Sequence, residues 1–204
     1  MIAKKTGVVG ILVLLLVSVI GVSVGITSGG TFEQELVANE LMGDVIEIYT
    51  WEDLHNMRYN LAGDYVLMND LGPEDAGYDD YASDQADSGA GWLPVGTGPW
   101  TEPENHFTGT FDGQNHTITG LYIDRPSTNH IGLFGCVGKG GEVRNVGLVD
   151  VEVSGDWYVG GLVGSNSGTV ENSYATGNVS GDHKVGGLVG WNWGGLSGEQ
   201  FLQH

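Results

Sequence analysis

The chain has 204 residues, the length of one ordinary domain with an additional terminal segment. Seven Lys and Arg against 26 Asp and Glu give a formal net charge of −19, which argues against nucleic acid as a partner because phosphates bind clustered basic residues. The 36 glycines imply many tight bends, and the single cysteine excludes an internal disulfide and a four-cysteine zinc site.

The first 30 residues have the layout of an export segment. Lys4 and Lys5 precede an apolar run over residues 8–26 that contains no charged side chain. This run is long enough to span a bilayer and longer than the usual core of a cleaved signal. Residues 1–30 are therefore predicted to be a signal peptide or a membrane anchor. Both interpretations place the rest of the chain outside the cytoplasm, at the cell surface or free in the medium.

The segment after the apolar run is predicted to be a linker followed by one short helix. Residues 31–47 are polar and acidic, and no core is evident in them. Thr50 has an acid, Asp53, three positions later, which is typical of a helix N-terminus. Leu54 and Met57 then repeat at helical spacing.

The next residues contain strands around a long acidic loop. A short apolar strand is predicted at 65–68, an acidic loop at 72–91, and further strands at 107–111 and 116–123. Residues 48–124 as a whole are predicted to be the N-terminal lead-in or cap of the repeats that follow.

Three copies of one glycine-bounded block occupy the second half of the chain. Gly-Leu-Phe-Gly at 132–135 recurs as Gly-Leu-Val-Gly at 161–164, 29 residues later, and at 187–190, 26 residues after that. A unit of this size cannot bury both faces of its own strands, so it gains a core by stacking on its copies. Residues 125–195 are therefore predicted to be an all-β solenoid of about three coils, with three short strands in each.

Alternation within a repeat predicts which side chains face the core. Val149, Val151 and Val153 alternate with Asp150 and Glu152, a period of two that turns the valines inward and the carboxylates outward.

The ends of the repeats give two further expectations. Asn145 and Asn172 fall at the same place in successive repeats, where their side-chain amides are expected to bond along the stacking axis. The third copy lacks this asparagine, and residues 196–204 do not match the repeat, which predicts a divergent or truncated end.

These blocks resemble the GLUG-motif repeats of bacterial and archaeal surface proteins. Residues 92–96, 107–113, 116–118 and 120–121 are similar to the lead-in that precedes such repeats, and the resemblance covers about residues 46–195. It implies a right-handed parallel β-helix on an exported, adhesin-like protein, which in some members is joined to an immunoglobulin A metallopeptidase.

No catalytic motif accompanies the repeats. The six histidines form no H-E-x-x-H pattern, so the peptidase activity does not carry over. The sequence predicts a non-catalytic surface module that acts in adhesion or as a structural or binding element. Two alternatives stay open: a carbohydrate-active or calcium-dependent enzyme module, and a truncated fragment of a longer surface protein.

The acidic loop supplies candidate metal ligands. Calcium prefers several carboxylate oxygens, and the sequence concentrates Asp70, Glu74, Asp75, Asp79 and Asp80 in and before this loop. The spacing does not fit an EF-hand. A solvated acidic loop and a loop ordered by calcium are both open interpretations, and no cofactor is required.

Trp157 and Trp191 are candidate ligand-binding residues, because aromatic side chains near coil corners can stack on sugars; packing at the corner is the alternative. The expected partner is a cell-surface glycan or protein, with the membrane as a further partner if residues 8–26 stay uncleaved. Asn115 and Asn178 lie in glycosylation sequons. Cys136 is expected to be a small buried hydrophobe.

Overall fold

The structure is a computed structural model that describes residues 44–99, 101–197 and 200–201. The predicted export segment at 1–30 lies outside these residues, as do most of the predicted linker and most of the predicted divergent end. In the described residues, no helix is long and apolar enough to cross a membrane. The anchor over residues 8–26 therefore stays a prediction.

The described chain consists mainly of short β-strands, which confirms the all-β class. The strands are β1 (Ile46–Ile48), β2 (Asp64–Leu67), β3 (Thr110–Asp112), β4 (Thr117–Thr119), β5 (Tyr122–Asp124), β6 (Phe134–Val137), β7 (Glu142–Arg144), β8 (Gly147–Ser154), β9 (Trp157–Gly160), β10 (Val163–Asn166), β11 (Thr169–Glu171), β12 (Tyr174–Ser180), β13 (His183–Gly186), β14 (Val189–Asn192), β15 (Gly195–Ser197) and β16 (Gln200–Phe201). The helices are α1 (Trp51–Asn56) and α2 (Tyr78–Tyr81), with 3₁₀ turns at Met57–Tyr59, Ala86–Gly89 and Pro103–Asn105.

The strands form parallel sheets, four of them in the described residues. Sheet A has the order β1-β2-β3-β7-β11-β15, and sheet B has the order β4-β8-β12-β16 with β5 also beside β8. Sheet C contains β6-β10-β14, and sheet D contains β9-β13. From β6 onward the chain visits sheets C, A, B and D in turn and then returns to C. The first two repeats, β6–β9 and β10–β13, therefore have four strands each rather than the predicted three, because β9 and β13 form a sheet of their own.

Buried side chains lie in register from strand to strand. In sheet A, paired positions on β2, β3, β7 and β11 hold Tyr65, Phe111, Val143 and Val170, and all four are buried. A second buried stack in sheet B consists of Ile118, Leu148 and Ala175. Each repeat thus covers apolar surface of the repeat beside it, which a single repeat could not bury alone.

Strand β8 departs from the simple alternation that its sequence predicts. Val151 and Val153 are buried as expected, but Val149 is only half-buried and Leu148 takes the inward position. Asp150 has a φ of 53°, and the register with β12 shifts nearby. This irregularity moves the inward positions by one residue, as β-bulges do.

Two local predictions are confirmed. Helix α1 begins with a capping box, in which the Asp53 N–H donates to Thr50 Oγ1 at 3.1 Å and the Thr50 N–H donates to Asp53 Oδ2 at 3.0 Å. The Asn172 side-chain amide donates to Asn145 Oδ1 at 3.3 Å, which is the expected bond between successive repeats. Both asparagines have a left-handed φ, a conformation in which asparagine is enriched.

Candidate functional site

Aromatic and basic side chains lie together on strands β9, β13 and β14, at Trp193 just after β14, and at His130, the residue before Ile131, which forms an isolated bridge to Val159. Strand β9 pairs with β13 so that Trp157 lies beside His183, with ring centroids 4.5 Å apart. We name this set the aromatic column; its members are His130, Trp157, Tyr158, His183, Lys184, Trp191 and Trp193.

Three members of the aromatic column share an unusual backbone conformation. Ile131, Val159 and Val185 pair with one another on successive repeats. His130, Tyr158 and Lys184 are the residues directly before them. Their φ angles are 61°, 60° and 56°, in the left-handed region that few non-glycine residues adopt. These three side chains therefore leave the backbone at equivalent positions in successive repeats.

Ring contacts join the members into one continuous cluster. The His130 and Tyr158 rings are stacked, with centroids 4.8 Å apart and an interplanar angle of 14°. Tyr158 meets Trp157 at 6.1 Å and Trp191 at 5.8 Å, both edge to face. Trp193 lies 5.8 Å from Trp191. Tyr158 is thus the link between the two tryptophans that the sequence singles out.

Lys184 places its ammonium group on this cluster. Its Nζ lies 3.1 Å from the centroid of the Trp191 ring and 4.6 Å from that of Tyr158, and it donates to the Tyr158 hydroxyl at 3.3 Å. Among the described residues, no carboxylate forms an ion pair with Lys184. The ammonium is therefore held by ring faces, a cation–π arrangement.

The rings differ in how much water they meet. Trp193 is 72 % exposed and Trp157 is 40 % exposed, whereas Trp191 is half-buried and lies next to Lys184. Exposed indoles offer an apolar face to a ligand, so Trp157 and Trp193 are the accessible tryptophans, and the His183 ring beside Trp157 is exposed as well.

An open groove of about 320 Å³ adjoins the cluster at His130. Asn129 and Arg125 are among its lining residues. The Asn129 side-chain oxygen accepts from the backbone N–H of Trp157 at 3.2 Å. Arg125 forms an ion pair with Asp87. Burial, with a smaller effect of His106, lowers the pKa of His130 and so favours its neutral form.

The structure brings the predicted Trp157 and Trp191 into one cluster, and it adds Lys184, which was not predicted. A signal was present: Trp-Tyr-Val-Gly at 157–160 and His-Lys-Val-Gly at 183–186 both precede a Gly-Leu-Val-Gly block. Aligning these two segments places Lys184 at the position of Tyr158, directly beside the aromatic residues.

The acidic residues proposed as calcium ligands are distributed over separate structures. Asp70 accepts from the Thr117 N–H at 2.8 Å and contacts His116 Nδ1 at 3.1 Å. Asp75 accepts from the Gly72 N–H at 2.7 Å. The remaining predicted ligands are Glu74, which precedes Asp75, and Asp79 and Asp80, which lie in helix α2. In the part of the chain that the structure describes, no three His, Cys, Asp or Glu side chains are arranged to hold a metal ion. Calcium binding stays a prediction.

Three other predicted positions can be placed. Asn115 is exposed in the turn before β4, with a φ of 67°, and Asn178 is exposed on β12. Their glycosylation stays a prediction. Cys136 is buried, as expected, and burial raises its pKa to about 12, so its thiol stays protonated and unreactive at neutral pH.

Comparison with known proteins identifies the repeat unit. Residues 155–180, from the residues before β9 to the end of β12, match the GLUG motif. The chain is 35 % identical over 104 residues to halomucin of Haloquadratum walsbyi, a match that covers 50 % of this chain and 1 % of halomucin. It is 40 % identical over 87 residues to a protein of Evansella cellulosilytica named as a Gly-rich membrane protein, covering 41 % of this chain and 10 % of that protein.

The chain thus spans only a small part of both relatives, and no solved structure matches it significantly. The matched motif contains Trp157 and Tyr158, and the predicted resemblance to GLUG-motif surface proteins is confirmed: this chain carries a GLUG motif at residues 155–180.

Proposed function

We propose that this chain works at the cell surface as a non-catalytic adhesion or structural module, built as a right-handed parallel β-helix. The cyclic order of sheets C, A, B and D supports the winding, because each strand pairs with its equivalent one repeat later. Right-handedness follows from the strong preference of parallel crossover connections for that hand.

The main support for a binding role is the in-register repetition of side chains on successive repeats, with the series that begins at Asn129 exposed to solvent. Asn129, Trp157 and His183 occupy one series of neighbouring positions on successive repeats. His130, Tyr158 and Lys184 occupy the next. Stacked strands hold such series at fixed spacing, which gives a rigid, elongated face suited to a large partner.

Composition and relatives support a location at the surface. A net charge of −19 keeps a protein soluble and separate from its neighbours in an aqueous exterior. One relative is named a membrane protein, and the apolar run over residues 8–26 has the pattern of an export segment.

Surface accessibility in intact cells tests the proposed location. The full-length chain with a C-terminal epitope is produced in a bacterial host, and proteinase K is added to intact cells. We expect loss of the epitope while a cytoplasmic marker stays whole. Leu15→Arg is the control, because a charge in the centre of the apolar run opposes membrane insertion. An epitope protected in intact wild-type cells contradicts the proposal.

A second experiment tests the module itself. A thermal melt of the purified full-length chain, followed by far-UV circular dichroism with and without calcium, is combined with a sizing run. We expect a β-rich monomer that unfolds cooperatively. A rise in the melting temperature with calcium would support the calcium-ordered acidic loop. Release of reducing ends from acidic polysaccharides would contradict the non-catalytic role.

A further inference from the structure

The aromatic column combines exposed rings with a lysine that forms no ion pair among the described residues. We propose that it binds a polysaccharide that carries carboxylate groups, with sugar rings packed on Trp157 and Trp193 and a carboxylate bound by Lys184. This inference rests on the proposed surface function and names the chemical class of its ligand.

The exposed indoles favour sugar rings. Trp157 and Trp193 keep 40 % and 72 % of their surface in water. The C–H face of a pyranose is apolar and flat, so it covers an indole while its hydroxyl groups stay hydrated. Trp191 contacts Lys184 and Trp193 and is less exposed, so it supports the binding surface from beneath.

The spacing of the strands favours a polymer over a single sugar. Trp157 and His183 are neighbours on the paired strands β9 and β13, and adjacent strands lie about 4.8 Å apart. This spacing is close to the rise per sugar unit of an extended polysaccharide. Successive rings of one chain can therefore meet successive repeats.

Lys184 determines the charge of the ligand. A lysine ammonium has three N–H donors. Within the described residues, the Lys184 ammonium makes one hydrogen bond, to the Tyr158 hydroxyl. A carboxylate that accepts from a remaining N–H forms a charge-assisted bond, which is stronger than a neutral one. A net charge of −19 repels a polyanion from most of the surface, so binding is directed to an available cation.

Neighbouring charges restrict how such a chain can lie. Asp156 and Asp182 immediately precede Trp157 and His183 and repel carboxylates on that edge. The groove at His130 offers the side-chain N–H groups of Asn129 for hydroxyl groups, since its Oδ1 already accepts from the Trp157 backbone N–H. The carboxylate is therefore expected on the Lys184 side.

Three probes separate the contributions of ring and charge. The full-length chain is titrated by calorimetry, in EDTA, with polygalacturonate, with its fully methyl-esterified form and with inorganic polyphosphate. The first has sugar rings and carboxylates, the second has rings alone, and the third has charge alone. We expect binding of polygalacturonate, at least tenfold weaker binding of the methyl ester, and no binding of polyphosphate.

Four variants assign the binding to the aromatic column. Lys184→Gln and Trp193→Ala are each expected to weaken polygalacturonate binding about tenfold, since each removes one strong contact. Lys184→Arg keeps the charge and is expected to stay within threefold of wild type. Tyr59→Ala removes an aromatic ring that is 78 % exposed and belongs to the 3₁₀ turn after α1, so it is the matched control without effect. Circular dichroism confirms that each variant is folded.

The outcomes distinguish this inference from the proposed function. Equal affinity for the methyl ester, or unchanged affinity of folded Lys184→Gln, overturns the assignment of an anionic ligand. A folded chain on the cell surface that binds none of the probes overturns the inference alone. A chain retained inside the cell overturns the proposed function as well.

Discussion

The N-terminal part of the described chain, residues 44–124, and the repeat part, residues 130–197, share sheets A and B but build their cores differently. The N-terminal core contains large aromatic side chains, and the biggest of them are Trp51, Trp92, Phe107 and Phe111. In the repeat part the buried residues are chiefly valine and leucine, and glycines let neighbouring backbones approach closely.

The connections between strands differ in the same way. From β10 to β14, two residues separate each strand from the next, whereas the segment between β2 and β3 contains α2 and two 3₁₀ turns. A two-residue connection is too short to cover an irregular core. Small residues, which let neighbouring repeats approach closely, are therefore needed to fill the repeat core. The same parallel arrangement of strands can therefore be filled either by large aromatic side chains or by small residues that pack closely.

Tryptophan shows the contrast most directly. Trp51 and Trp92 are fully buried, and each indole N–H donates to a backbone carbonyl at 3.0 Å. Trp157 and Trp193 remain exposed on the repeats. The same residue type therefore builds the core in one part and a candidate binding surface in the other.

The largest expected effect comes from truncating the aromatic core. Phe111 and Val143 are paired on adjacent strands and both are fully buried. Phe111→Ala is expected to lower the free energy of unfolding by about 4 kcal/mol, and Val143→Ala by about 2 kcal/mol, because the larger side chain leaves the larger cavity. Urea unfolding followed by circular dichroism measures both. Equal losses would show that the two cores do not differ as proposed.

A smaller loss is expected where the repeat backbones touch. A Cβ atom on residue 168 would lie 2.2 Å from the Gly141 carbonyl oxygen, whereas the nearest atom to one on residue 195 is 3.8 Å away. Gly168→Ala is expected to lower the free energy of unfolding by about 2 to 3 kcal/mol through overpacking. Gly195→Ala, the control on β15, which pairs with the strand that follows Gly168, is expected to change it by less than about 0.5 kcal/mol. Tolerance of Gly168→Ala in the same urea experiment would contradict the close packing of the repeats.

The smallest expected effect concerns the polar contacts of the N-terminal part. Hydrogen bonding from the Thr117 N–H, with a smaller contribution from His116, lowers the pKa of Asp70. A lowered folded-state pKa stabilises the protein above the carboxyl group's ordinary value, and this stabilisation is lost as pH falls through the folded value. Asp70→Asn is therefore expected to cost less than about 1 kcal/mol at pH 7, since the side chain is 70 % exposed, and less still at pH 3.

Urea unfolding of wild type and Asp70→Asn at both pH values measures this difference. The same measurement in 1 M salt serves as the control, because salt screens the charge attraction between Asp70 and His116 more than the hydrogen bond from Thr117. A difference that grows toward acid would contradict the assignment.

Several features could be predicted from local sequence because local physics decides them. The capping box at Thr50 depends on four consecutive residues, and it is present. The Asn145–Asn172 bond follows from the repeat spacing. The inward position of Leu148 could not be predicted, because it depends on the irregular backbone at Asp150 and on pairing with β12.

The candidate site likewise combines residues that the sequence predicts with a contact that it does not. The sequence identified Trp157 and Trp191 as aromatic residues near the corners of repeats. It did not indicate that Lys184 packs on Trp191, because that contact depends on side-chain direction at a left-handed residue.

The all-β class and the repeat unit can be predicted from spacing and from the alternation of apolar residues along one chain, and the resemblance to GLUG-motif proteins from the residues of the Gly-Leu-Val-Gly blocks. That Trp51 and Trp92 are buried while Trp157 and Trp193 are exposed is evident only in the folded chain. The physical reason is that parallel stacking brings residues 26 or more positions apart into contact, so the environment of each side chain is set by the neighbouring repeat and not by its own sequence neighbours.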